Sequence, residues 1–178
     1  MQVALFVAAD VLGDAAHTLY HYAAHKVPKL NQYHRVHHEK TQPTARDTFY
    51  NHPVDTALAT TCRVALPVAA VVAMGADWPV VVVYLFYCAA TSMSHHTTHG
   101  LAEIVSLGFL PTRAKPGHHL MHHKDPTCKF GENWIWFDYA MGTLVRAAPE
   151  PTVPPDQAPE MGPDPGAVER DDEMYNEL

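Results

Sequence analysis

Histidine spacing constrains this chain more than any other feature. In the run His118-His119-Leu120-Met121-His122-His123, the residues His119, His122 and His123 stand at i, i+3 and i+4 and share one face of a helix. The pattern recurs at His34, His37 and His38, and two pairs, His21/His25 and His95/His99, stand at i, i+4. Imidazolium cations packed this closely repel one another, whereas neutral rings around a metal do not. A fold that uses all four groups has to gather segments from both ends of the sequence.

Histidine (14 residues) outnumbers Lys and Arg together (12) in a chain of 178, long enough for one domain of moderate core. The formal charge of −7 is local: nine acids and one base from Pro149 onward carry −8, which leaves about +1 on residues 1–148. So balanced a body lacks the field of a nucleic-acid binder. Cys62, Cys88 and Cys128 are odd in number and far apart, which argues against a disulfide framework and suits a reducing compartment.

Met1–Val11 is apolar without a basic start or cleavage site, so it is expected to be the last turns of a longer membrane helix, with the start truncated or the protein a shortened form. Asp14–His25 reads as a helix ended by Pro28, and Leu30–Lys40 as a second one carrying His34, His37 and His38. Ala57–Ala76 and Pro79–Met93, joined at Asp77-Trp78-Pro79, read as an apolar hairpin in or across a bilayer, with Arg63 snorkelling to the interface and Trp78 at headgroup depth. Residues 100–116 read as a linker, followed by the last histidine group and an aromatic stretch. From Pro149 the chain is acidic and proline-rich and is expected to be disordered. The expectation is an all-α, integral membrane helical domain over residues 1–148, with a histidine-rich cap on its cytosolic side and a tail over 149–178.

Ten imidazoles are too many for one ion and suit two at five each. Neither Glu-x-x-His nor His-Glu-x-x-His occurs, which excludes the soluble carboxylate-bridged di-iron bundle and the zinc peptidase. Imidazole takes zinc, copper, iron and nickel alike, but a redox pair that activates oxygen beside a lipid explains the apolar hairpin, whereas a zinc store does not need one. His17, His52, His96 and His118 read as core histidines or as groups behind the ligands.

These motifs resemble the fatty acid hydroxylase and sterol desaturase superfamily over roughly Asp14–Thr143. Its boxes correspond to His21-Tyr22-Ala23-Ala24-His25, preceded by Asp14; to His34-Arg35-Val36-His37-His38, followed by Asn51-His52-Pro53; to His95 and His99; and to His119, His122 and His123. Trp136-Phe137-Asp138 and Met141-Gly142-Thr143 stand where tryptophan-aspartate and Phe-Gly-Thr usually close the region, and Lys129-Phe130-Gly131 where Asn-Phe-Gly is common. The third box is the least regular, and His96 is an alternative there. The resemblance implies two iron ions, with zinc as a possible substitute, bound by His21, His25, His34, His37, His38, His95, His99, His119, His122 and His123. Asp138 or His118 would orient ring nitrogens from behind. It further implies O2-dependent hydroxylation or desaturation of an unactivated lipid C–H in the endoplasmic reticulum membrane, with electrons from cytochrome b5 and its reductase. A carotenoid hydroxylase, a non-enzymatic metal binder and an inactive truncated relative are the alternatives.

Overall fold

An apolar N-terminus that runs into the first histidines without a breaker produces the longest element. In the computed structural model, which describes residues 1–144, α1 spans Gln2–Lys26. Its 25 residues extend about 38 Å at 1.5 Å per residue, beyond the roughly 30 Å of bilayer hydrocarbon. Met1–Val11 and the expected Asp14–His25 helix are thus one continuous helix long enough to span, not two separate segments.

Pro28 sits in the first turn of α2 (Pro28–His34), where its missing N–H costs nothing. α2 stops at His34, and His37–Glu39 is a 3-10 turn, so the expected helix over Leu30–Lys40 is broken between its histidines. A second 3-10 turn, Ala45–Phe49, is closed by reciprocal bonds between Thr44 and Asp47. Then α3 (Pro53–Thr60), a π-helical turn (Thr61–Ala65) and α4 (Leu66–Ala73) form one apolar helix of 21 residues. A tight turn leads to α5 (Trp78–Ser94). Gln2–Lys26 and Pro53–Ala73 are both long and apolar enough to cross a membrane, and α5 is a shorter apolar helix.

Three short helices follow: α6 (Gly100–Val105) inside the expected linker, α7 (Pro116–Lys124) and α8 (Trp136–Met141). The fold is all-α; among the described residues the only β feature is an isolated bridge between Arg113 and Trp134. The expected tail from Pro149 and its boundary lie outside the described residues.

Leu5, Ala9, Val71, Tyr84 and Cys88 pack where α1, α4 and α5 meet, with the Phe6 ring edge-on to Tyr84 at 6.0 Å and to Tyr87 at 5.3 Å. Val3, Leu12, Leu66, Val72, Val83 and Phe86 of the same helices face outward and are exposed, as on helices that meet lipid. Inside, the Tyr84 hydroxyl lies 3.0 Å from the Ala9 carbonyl and 2.8 Å from that of Arg63. This contact requires Gly13, because a Cβ there would sit 2.3 Å from the Tyr84 oxygen and 2.7 Å from the Arg63 carbonyl.

Arg63 does not snorkel. It is buried in the π turn and donates to Asp10 Oδ1 at 3.3 Å. Asp10 also accepts from Arg113, from Asn133 Nδ2 at 2.8 Å and from Trp134 Nε1 at 3.0 Å. One turn on, Asp14 accepts from the backbone N–H groups of Asn133 (2.8 Å) and Trp134 (3.0 Å). A buried charge in an apolar helix needs such partners, and these tie the segment after Phe130 onto α1.

Gly13→Ala forces α1 and the π turn apart and is expected to destabilise the fold by about 1–3 kcal/mol. Thermal unfolding in detergent measures this, and a melting temperature equal to that of the parent would contradict the close approach.

Candidate metal centre

The histidines assemble into two groups, and each His-x-x-His-His motif is divided between them. The first group comprises His21 and His25 from α1, His34 and His38 from either side of the α2 break, and His122 from α7. The second comprises His37, His96, His119 and His123. Within each group one ring nitrogen per residue lies within 4.8 Å of all the others. On α7 the i, i+4 pair His119/His123 points to the second group and His122 to the first. The turn after His34 does the same for the other motif, leaving His34 and His38 on one side and His37 on the other.

Hydrogen bonds behind five of the nine rings set their tautomers, while Nδ1 of His37, His38 and His119 is buried without a partner among the described residues. His21 Nδ1 lies 2.9 Å from the Phe130 carbonyl, His122 Nδ1 2.6 Å from that of Cys128, and His123 Nδ1 3.0 Å from that of Lys40. His96 Nδ1 lies 3.0 Å from the Ser92 carbonyl, and His34 Nδ1 3.1 Å from both oxygens of Asp55. A carbonyl or carboxylate oxygen accepts only, so each Nδ1 donates and each Nε2 presents a bare lone pair to its group. His21 Nε2 is buried with no hydrogen-bond partner among the described residues. The other Nε2 atoms meet one another: His34 and His38 at 3.1 Å, His25 and His122 at 3.1 Å, His123 with His37 and with His119 at 3.1 Å, and His96 with His37 at 3.3 Å. Two ligands on bonds of about 2.1 Å set roughly at right angles are about 3.0 Å apart, so the spacing and the converging lone pairs fit a metal ion in each group.

The environment disfavours the charged form of five of these rings. Burial, reinforced by neighbouring rings, holds His37 and His119 well below the usual imidazole range and also lowers His38. Burial holds His122 down at about 4 and His123 at about 3. The two groups differ in access: His25 and His38 of the first are half-buried, whereas all four rings of the second are buried.

Of the ten expected ligands, eight fall in the groups, and His95 and His99 do not. His95 and His96 are neighbours at the end of α5, about 100° apart around the axis, so only one of them faces the cluster. It is His96, the alternative for the third box, which otherwise read as a core histidine or a group behind the ligands. His95 is fully buried and bonds through Nε2 to Asn133 Oδ1 at 2.9 Å. His99 is exposed and caps α6, accepting from the Leu101 N–H at 3.3 Å. His52 likewise caps α3, accepting from the Val54 N–H at 3.2 Å, and its ring lies against Tyr33.

Asp138 acts on the site through the backbone. Its carboxylate accepts from the N–H groups of Phe130 (2.7 Å) and Gly131 (2.8 Å) and from His118 Nε2 (3.0 Å), which fixes the Phe130 carbonyl that His21 contacts. Gly131 has no room for a side chain, since a Cβ would lie 2.7 Å from the Trp134 carbonyl. Sequence reasoning missed Asp55, which holds His34 and also accepts from the Tyr20 hydroxyl. An acid on the first turn of an apolar helix was the available signal.

Beneath the rings lies a cavity of about 390 Å3, bounded by His21 and His34 of the first group and His37, His96 and His119 of the second. Its walls are Ala59, Val64, Leu85 and Ala89 from the apolar helices, and His17, Arg63 and Glu132 also line it. The candidate metal-binding rings thus line a largely apolar space between helices of membrane-spanning length.

The fatty acid hydroxylase family matches the chain over residues 6–143. A methylsterol monooxygenase of Aspergillus fumigatus is 26% identical over 143 residues, which are 80% of this chain and 47% of the relative. The chain therefore spans about half the length of that relative. No solved structure matches it.

The depressed ring pKa values carry a sign. Unfolded imidazole titrates near 6.5, whereas folded His122 and His123 stay neutral down to about 4 and about 3. In that window the unfolded chain binds more protons, so the metal-free protein is fully stable above about pH 6.5 and loses stability as the pH falls toward 4. The melting temperature of chelator-treated protein across this range checks this; a flat profile would mean that the rings are not held neutral.

Proposed function

Because the chain belongs to the fatty acid hydroxylase family, we propose that it is a membrane-bound di-iron monooxygenase acting on an unactivated C–H bond of a lipid. The observation that carries this reading is the convergence of ring nitrogens, in two groups, beside a cavity lined by residues of the apolar helices. His21, His25, His34, His38 and His122 would hold one ion, and His37, His96, His119 and His123 the other. Bound there, two irons would supply the redox chemistry for O2-dependent attack on carbon. The overall reaction is R–H + O2 + 2 electrons + 2 protons to R–OH + H2O.

The chain's own residues do the positioning. The carbonyls of Phe130, Cys128, Lys40 and Ser92 and the Asp55 carboxylate aim the rings, and the apolar wall excludes water and receives the lipid. The donor set itself does not distinguish iron from zinc, which is why zinc could replace it. The name of the Aspergillus relative supports a sterol as substrate and oxygen insertion over desaturation. Electrons come from outside the chain in this reading, with cytochrome b5 and its reductase as donor, in the endoplasmic reticulum membrane. Free thiols at Cys62, Cys88 and Cys128 are in keeping with a cluster that faces the reducing cytosol.

Iron-replete protein should contain about two irons per chain and convert sterol to hydroxysterol with O2 and a reductase system. His96→Ala should reduce the metal content toward one and abolish turnover, whereas His99→Ala should keep both. Metal analysis with mass spectrometry of extracted lipids reads the outcome; loss of iron in the His99 variant alone would overturn the ligand set, and full turnover without iron would overturn the reaction.

A further inference from the structure

Two polar residues that line the cavity belong to neither histidine group. Glu132 and His17 line it, each with only 9% of its surface exposed. The Glu132 carboxylate receives no hydrogen bond among the described residues; the basic group within 4 Å of it, His17 Nδ1, stands 3.9 Å from Oε2 and is itself buried without a partner. A buried ring nitrogen without a partner, beside a carboxylate that receives no donor, favours a polar group between them. The residue is held in place from both sides: the Gly131 N–H donates to Asp138, and the Asn133 and Trp134 N–H groups donate to Asp14. An oxygen about 2.8 Å from each atom fits over the 3.9 Å gap between them. A hydroxyl there donates to the carboxylate and accepts from the ring N–H.

We propose that Glu132, with His17, anchors a hydroxyl group of the lipid substrate and thereby selects lipids that carry a hydroxyl a few bonds from the carbon attacked. The short reach follows from position. His17 lies one helical turn before His21, about 6 Å along α1, and the two ring centroids are 5.8 Å apart. An ammonium group fits less well, because the Arg63 guanidinium lines the same cavity. A neutral donor meets no such repulsion. The inference rests on the lipid-oxidising reading of the site and adds the feature by which the substrate is recognised.

The test is sterol binding by iron-loaded protein in nanodiscs, with tritiated cholesterol displaced by unlabelled cholesterol or by its 3-O-methyl ether. The parent protein should prefer the free hydroxyl by about tenfold or more, as expected for a hydrogen bond to a charged acceptor. Glu132→Leu should bind the two within about twofold of each other and hold the ether as tightly as the parent does, and Glu132→Gln should keep part of the preference. A parent that does not discriminate, a preference that survives in Glu132→Leu, or equal weakening of both ligands in that variant would each overturn the proposal. The same comparison on metal-free protein separates this failure from failure of the di-iron reading, which shows instead as absent iron or absent turnover.

Discussion

A carboxylate placed inside an apolar helix has to be met by donors from elsewhere, and this requirement organises the described chain. Asp10 and Asp14, one turn apart on α1, collect Arg63 from the π turn, Arg113 from the segment after α6, and Asn133 and Trp134 from the segment before α8. Breaking a buried pair by removing one member typically costs about 3–5 kcal/mol, so these bonds are poor candidates for fraying. Their effect reaches the rings. With Asn133 and Trp134 fixed, Gly131 and Phe130 are fixed by Asp138, and the Phe130 carbonyl stands where His21 Nδ1 can donate.

The rings are aimed largely by loop backbone. Carbonyls of Lys40, Cys128 and Phe130, all outside regular helices, hold His123, His122 and His21. Helix spacing brings the imidazoles to one region, but irregular segments decide which nitrogen faces inward. That division explains why Gly131 and the turn after His34 matter as much as the histidines: one permits the carbonyl to approach, and the other turns His37 away from His34 and His38.

Much of the architecture was legible in the sequence because it depends on period and composition. The apolar segments, the His21/His25 pair, the two His-x-x-His-His motifs and the gathering of histidines into two groups follow from spacing. What spacing does not contain is rotation and burial. His95, His96 and His99 are equivalent candidates until the orientation of the α5 end is known, and Lys40 and Cys128 act through carbonyls that every residue possesses. Arg63 reads as an interfacial snorkel until its partner Asp10, 53 positions away, is brought alongside. Asp55 and Glu132 carry no motif; their roles arise from the histidines they stand beside.

The π turn at Thr61–Ala65 has a consequence for how the membrane segment and the histidine end stay in phase. Asp55, Arg63, Pro67 and Val71 are all buried, at separations that are multiples of four. In an unbroken α-helix such a row would wind by about 160° over sixteen residues, and its two ends would face different neighbours. One widened turn absorbs roughly 100° of that winding. The same face therefore carries Asp55 toward His34 and Val71 into the packing around Leu5 and Ala9. The local irregularity works as a vernier that keeps lipid-depth packing and ring orientation on one common meridian of the helix.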